Sequence, residues 1–591
     1  MSAGSATAFG VVRSFSGRRW LMRDVDETVV AAYARDYRLS SFVARLVAGR
    51  GIAPDAVADF LTPTLKRLLP EPMTLAHMDA AVARVAAAVA AGEAIAIYGD
   101  YDVDGSCSAA LLAEFLQHTG LRPQIYVPDR MTEGYGPNAP ALLKLKGEGV
   151  GLVITVDCGA GAYGPLQQAR GAGLDVVVLD HHACEVSPPA VAHVNPNQPG
   201  DTSGLGHLCA TAIVFLFCVA LNRFWRDAGR YKNAPEPDLR DSLDLVALAT
   251  VCDVVPLTGV NRAFVQTGLA RLGLMKRPGV AALAAVAGVA PPFTTYHLGF
   301  VLGPRINAGG RVGRCGLGAD LLIAQDPTLA AEYAGALDMH NRERQAIEKL
   351  ILDEAMVAAD QQGDSPFILV SGDGWHPGVV GIVAGRLKER FRKPTLVAGF
   401  EGGVGRGSAR SVPGINLGAL IRAAREAGVI MAGGGHAMAA GFSLEPEHVE
   451  GLRHFLTEQF RAGLTSAETD ELTVEALVAP AAATPALVGE IAAIGPFGAE
   501  APEPLIALPD VRVAFADVVG KDHVRLKLAS GDGARIDAIA FRIADSELGR
   551  SLLDSRGQVI HALGRLSLNE WNGRISAQLM LEDAAPAQAF V

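Results

Sequence analysis

Four short apolar runs constrain this chain more than anything else in it. "AIAIYGDYD" (94–102), "PQIYVPDR" (123–130), "VGLVITVDCG" (150–159) and "LDVVVLDHH" (174–182) each pass from a hydrophobic stretch into a polar or glycine-rich turn, with helical texture between them. Runs with no alternation belong to strands buried on both faces, as in a parallel sheet covered by crossover helices. Ligands of such sheets bind beyond the carboxyl ends of the strands. Asp100, Asp102, Asp104, Asp157 and the Asp180–His182 stretch all fall at that end, and a later helical segment runs into another acid, Asp253. A single aspartate after a strand reads as a helix cap or a solvated loop. Three at alternate positions, echoed by acids or histidines after three later segments, repel one another unless a cation neutralises them. Carboxylate and imidazole without thiolate suit Mn²⁺ or Mg²⁺. Two such ions bridged by one carboxylate activate water and clamp a phosphoryl oxygen.

A length of 591 residues exceeds one core, so several domains are expected. The texture divides the chain into an N-terminal helical region (1–78), the α/β domain with the acids (79–325), a connecting helix (326–362), a second α/β domain (363–465) and a β-rich tail (466–591). "GFVLGPRINAGGRVG" (299–313) reads as a glycine-rich basic loop. In the tail, alternating runs flank Asn572-Gly573, a hairpin signal, and a small OB-like barrel is the expected closure. The net charge of −11 argues against coating nucleic acid by bulk charge but leaves room for a basic groove. Seven cysteines, an odd number with no CxxC, read as reduced thiols. The N-terminus lacks a signal-peptide core, and apolar runs such as 210–221 are too short to span a membrane. A cytoplasmic protein without a membrane partner is expected.

"YGDYDVDG", "VDCG", "LDHH", "VCDVVPLTGVNR", "LGPRINAGGR" and "GGGHAMAAGF" occur in the order of the DHH phosphoesterase superfamily, which the chain resembles over residues 80–450. Within it, "PDRMTEGYGPN", "DMHNRERQAIE", "GWHPGVVGIVAGRLKERFRKP" and "GPFGAEAPEP" are similar to the RecJ family of bacterial single-strand-specific 5′→3′ exonucleases. The resemblance implies a DHH catalytic domain joined by a long helix to a DHH-associated substrate-binding domain, with an OB-like nucleic-acid-binding barrel. It implies Asp102 and Asp104 as metal ligands with Asp100 contributing or close by, Asp157 as the bridging carboxylate, His181 and Asp253 as further ligands, and His182 as the group that polarises phosphate. The division of ligands between two ions stays open, because pyrophosphatases of the superfamily begin the first motif with His where Tyr98 stands. Gly309, Glu500 and Ala501 depart from the family spelling.

Phosphate must also be held away from the metals. Arg305, Asn307 and Arg311 in the glycine-rich segment offer bidentate grip. Ser408, Arg410 and His436 are expected on small-residue loops of the second α/β domain, and His376 lies in "GWHPG". The resemblance implies that this domain faces the metals across a cleft and grips the strand. In the tail, Lys521, His523, Arg525, Lys527 and Trp571 suit stacking on single strands. Arg342, Arg344 and Lys349 on the connecting helix read as solvated or paired with Glu343 and Glu348. The activity implied is two-metal hydrolysis of single-stranded DNA to 5′-mononucleotides by an activated hydroxide, in recombination and repair. A monomer is implied, with a single-stranded DNA-binding protein and a RecQ-type helicase as partners. The competing readings are a phosphodiesterase for short RNA or cyclic dinucleotides, whose members lack the β tail, and a non-catalytic scaffold, which would have lost ligands.

Overall fold

The computed structural model describes residues 6–130, 132–462 and 471–587, so the expected boundary at 465/466 lies outside the described residues. Two units emerge: residues 71–255 with 267–468, and residues 1–70 with 256–266 and 469–591.

In the first unit, the strands Gln124–Tyr126, Ile95–Gly99, Leu152–Val156, Asp175–Leu179 and Ala192–Val194 lie in that order in one sheet, every pair parallel. Ile95–Gly99 and Leu152–Val156 are buried at every position, as continuous apolar runs require. Both sheet neighbours of Ile95–Gly99 follow it in the chain, the next strand on one side and the one after it on the other, so the strand order reverses there. A crevice opens at such a switch point, and there the Asp100–Asp104 turn emerges. Helix Val103–Gln117 follows at once, with Asp102 as its N-cap: the Gly105 N–H donates to Asp102 Oδ1 at 3.0 Å. Helices Ala210–Asp227 and Leu243–Cys252 pack against it, and the second ends at Asp253. The apolar run at 210–221 is thus a buried core helix, and among the described residues no single helix is long and apolar enough to cross a membrane.

The glycine-rich basic loop expected at 299–313 is instead helical. A π-helical turn, His297–Leu302, leads into helix Gly303–Val312. Its glycines serve proximity: a Cβ on Gly303 would sit 2.5 Å from Cys252 Sγ. Helix Pro327–Asp360 then runs for 34 residues to the second domain. There, strands Ala432–Gly435, Ala439–Leu444, Val404–Arg410, Thr395–Glu401 and Ile368–Asp373 form a mixed sheet, parallel only at the last pair. Ser408 and Arg410, expected on a loop, lie on a strand, and His436 sits in the turn between two others.

The second unit is a barrel. Strands Ile506–Val519, His523–Ala529, Arg535–Ala540, Arg574–Pro586 and Val559–Trp571 follow one another around it, and the last pairs back to the first. Asn572 and Gly573, at φ 50 and 74, make the expected hairpin turn. Val30, Tyr33, Leu46, Val47 and Val57 from the N-terminal helices share one core with Val513, Leu526 and Leu579 of the barrel. The 256–266 segment belongs here through Arg262. Its guanidinium donates to the carbonyls of Phe60, Ile494, Gly495 and Pro496 at 2.5–3.1 Å. Burial without a carboxylate, next to Arg50, pushes its pKa down to about 10.

Candidate active site

The acids and histidines converge as expected. Ligand atoms form three groups, each within 4.8 Å: Asp100, Asp102 and Asp157; Asp104, His181 and Asp253; Asp157, His181 and His182. His181 Nε2 lies 3.4 Å from Asp157, 3.7 Å from Asp253 and 3.9 Å from Asp104. Asp157 belongs to two groups, and it takes a left-handed φ of 58, unusual for a residue with a side chain.

Burial and mutual repulsion push up the carboxyls of Asp157, Asp100 and Asp253. The Asp157 carboxyl is pushed well up by burial and then by Asp104, Asp102 and Asp100, and Asp100 is pushed up by burial and Asp102. Asp253 is lifted to about 8 by burial and by Asp104 and Asp102. Among the described residues, no hydrogen-bond donor reaches the buried oxygens Asp100 Oδ1, Asp157 Oδ1 and Asp253 Oδ2. Uncompensated acceptors are costly, so the set fits hard divalent cations. The adjacent thiols do not compete: Cys158 and Cys252 turn to the carbonyls of Tyr98 and Leu298, and burial raises both pKa values.

Asp104 and the paired histidines are held from behind. Asp104 accepts from Ala210 N, Thr211 N and Thr211 Oγ1 at 2.5–2.8 Å. Asn195 and Asn197 donate to the carbonyls of His182 and His181. Asp180 accepts from the amides of Ala160, His181 and His182 and sits 2.8 Å from His182 Nδ1. Burial opposes both charges of this pair, yet the contact prevails, taking Asp180 down to about 2 and His182 up to about 9. The Tyr135 ring packs edge-on against His182, with its hydroxyl 3.3 Å from Nδ1.

The residues expected to grip phosphate divide. Arg311 donates to the Gly378 carbonyl at 2.8 Å, which ties helix 303–312 to the second domain. Burial and then the neighbouring Arg130 and Arg344 lower its pKa to about 10. Arg130 lies over the Tyr101 ring at 5.1 Å, so three arginines gather beside the acidic turn. Arg305 turns instead to Asp338 and the Val301 carbonyl, and Asn307 accepts from Val103 N at 3.1 Å, bracing the acidic turn itself. In the second domain, Arg410 donates to Ser408 Oγ at 2.8 Å, and both lie against Gly381 on helix Val380–Phe391. His376 Nδ1 accepts from the Gly378 amide, and His436 is exposed. Arg344 is buried and paired with Glu348, the second of the two expected states, and also bonds Asn341.

Sequence reading alone assigns no role to Asp180, Tyr135, Arg130, Thr211, Asn195 or Asn197. Only Asp180 carries a signal, as the acid that precedes the paired histidines.

Comparison with known proteins covers the same ground. Residues 94–250 match the DHH family, N-terminal domain, residues 364–462 the DHHA1 domain, and residues 474–583 the RecJ OB domain. The chain is 34% identical to the single-stranded-DNA-specific exonuclease RecJ of Bacillus subtilis (strain 168), across 97% of this chain and 71% of the relative. It is 33% identical to the exonuclease of the same name from Escherichia coli (strain K12), across 95% and 98%. The crystal structure of RecJ in complex with Mn²⁺ from Thermus thermophilus superposes with a TM-score of 0.79 at 27% identity, covering 95% of this chain and 78% of that one. The Mg²⁺ complex of the same protein gives 0.73 at 25%, covering 95% and 77%.

Proposed function

The chain belongs to the RecJ family of single-stranded-DNA-specific exonucleases, and from that premise we propose that it hydrolyses single-stranded DNA from the 5′ end, one nucleotide at a time, releasing 5′-mononucleotides in recombination and repair. The observation that carries this reading is the cluster of six ligand residues with donor-free buried oxygens, beside a group of arginines. Two divalent ions, Mn²⁺ or Mg²⁺, would when bound supply an activated water and neutralise charge building on the phosphoryl oxygens. Asp100, Asp102, Asp104, Asp157, His181 and Asp253 would hold them, with Asp157 common to two positions. His182, kept cationic by Asp180, donates to a non-bridging phosphoryl oxygen. Arg311, Arg130 and Arg344 hold the terminal phosphate, and Ser408 and Arg410 grip a second phosphate of the strand. Arg305 and Asn307 support this from outside, by ion pair and by bracing the turn.

The test is digestion of long single-stranded DNA with Mn²⁺, labelled at either end, beside Asp157→Ala. Early release of the 5′ label as mononucleotide, abolished in the variant, is expected. Release from the 3′ end, or cleavage of very short oligonucleotides alone, would overturn polarity and substrate. A folded, metal-loaded protein that cleaves none of these would be a scaffold. A monomeric state, a cytoplasmic location and partnership with a single-stranded DNA-binding protein and a RecQ-type helicase belong to the same proposal. Seven free thiols support the location, and sedimentation and co-purification test the rest.

A further inference from the structure

Helix 103–117 carries Asp102 and Asp104 at its start, and helix 243–252 delivers Asp253 at its end. The two pack together, and because the start of one meets the end of the other, they run antiparallel. At their opposite ends stands a buried ion triad. Arg277 donates to Asp244 Oδ2 at 2.8 Å and Oδ1 at 3.2 Å, to Glu114, and to the Leu322 carbonyl at 2.9 Å. The side chains of Arg277, Asp244 and Glu114 are 9%, 8% and 17% exposed. Glu114 lies ten residues beyond Asp104, and Asp244 nine before Asp253, so the triad sits about 15 and about 13.5 Å from the ligands along the two axes. One bond set therefore fixes the sliding of one ligand-bearing helix against the other.

We propose that Arg277, bridging Glu114 and Asp244, is a positioning residue that sets the spacing of Asp104 and Asp253 and thereby the affinity of one of the two cation positions. This rests on the metal-dependent reading above. The position affected is the one drawing on Asp104, His181 and Asp253, because it takes one carboxylate from each helix. The group of Asp100, Asp102 and Asp157 takes none from helix 243–252, so sliding of that helix against helix 103–117 leaves it in place. A surface cavity of about 450 Å³, lined by Glu114, His118, Asp244, Arg271 and Arg277, opens onto the triad, so small ions reach it.

Two variants of the 591-residue chain test the clamp. Glu114→Met releases helix 103–117 and leaves a neutral Arg277–Asp244 pair, so folding is retained. Arg277→Ala removes the bridge. Mn²⁺ binding is followed by calorimetry and by the spin-coupled electron paramagnetic resonance signal of paired Mn²⁺, neither of which needs turnover. The parent is expected to bind two Mn²⁺. In each variant, one step weakens roughly tenfold, as when an outer support of a ligand is lost, while the other step holds. The rate at saturating Mn²⁺ recovers, and guanidinium far below denaturing concentrations restores Arg277→Ala but not Glu114→Met. A folded Glu114→Met that binds both Mn²⁺ as the parent does, or loses both equally, overturns the clamp, and decides alone if Arg277→Ala does not fold. A parent that binds no Mn²⁺ overturns the proposed function itself, and this inference with it.

Discussion

At the scale of single residues, the chemistry is set by charges that the fold forces together. Asp253 titrates near 8 in the folded protein against an ordinary value of 3.8, because burial and then Asp104 and Asp102 disfavour its anion. The folded state therefore binds more protons than the unfolded state between those limits, and stability falls as pH rises through them. Metal-free protein should lose thermal stability steadily from about pH 4 to about pH 8, and the rise in melting temperature on adding Mn²⁺ should grow over the same range. Scanning calorimetry with chelator and with Mn²⁺ measures both, and a flat chelator curve would refute the assignment. The His182–Asp180 pair gives a second prediction. Asp180→Asn should drop the His182 pKa from about 9 toward the ordinary 6.5, read by NMR titration of metal-free protein. Turnover at neutral pH should fall roughly 100-fold, because a neutral His182 no longer offers the phosphoryl oxygen a charged donor, the low end of what a positioned proton donor contributes. The cluster was legible in sequence because Asp100, Asp157 and His181 each follow a buried strand. Thr211, Asn195 and Asn197 were not, since Thr211 reaches Asp104 across more than a hundred residues and the two asparagines act from a loop with no pattern of its own.

At the scale of elements, glycine is where pattern reading loses resolution. The stretch 299–313 reads as a loop because glycine weakens helices, yet close packing against Cys252 makes Gly303 the residue that fits a helix there. Nothing local separates glycine used for freedom from glycine used for proximity. The acidic turn carries the same lesson. A Cβ on Gly105 would collide with the Asp100 carbonyl oxygen, a backbone atom that cannot yield without moving the carboxylates on either side. Gly105→Ala should destabilise by about 1–3 kcal/mol through overpacking and abolish Mn²⁺ binding, while far-ultraviolet circular dichroism stays native. Retained Mn²⁺ affinity would show that the turn tolerates the shift. The parallel sheet, the 34-residue helix and the Asn572-Gly573 hairpin were each legible, because each follows from a local period or turn chemistry.

At the scale of the whole molecule, the two chain ends fold as one body, which no local pattern announces. The N-terminal helices read as amphipathic, but what covers their apolar side lies more than four hundred residues away. Val30, Tyr33, Leu46 and Val47 are buried among Val513, Leu526 and Leu579. Trp20, fully buried, donates to Asp583 at 2.9 Å. Cutting the chain after residue 462 would remove the barrel and strip the cover from those side chains, each worth about 1.5–3 kcal/mol when buried. The shortened chain should self-associate and bind a hydrophobic dye. Removing residues 1–70 as well should relieve this, because the sheet unit then sheds the uncovered helices and keeps its own core of Ala96, Leu142, Val153 and Val178. Size-exclusion chromatography with dye fluorescence compares the two. If the chain ending at 462 proves monomeric and dye-silent while the doubly trimmed chain does not, the N-terminal helices have a cover other than the barrel.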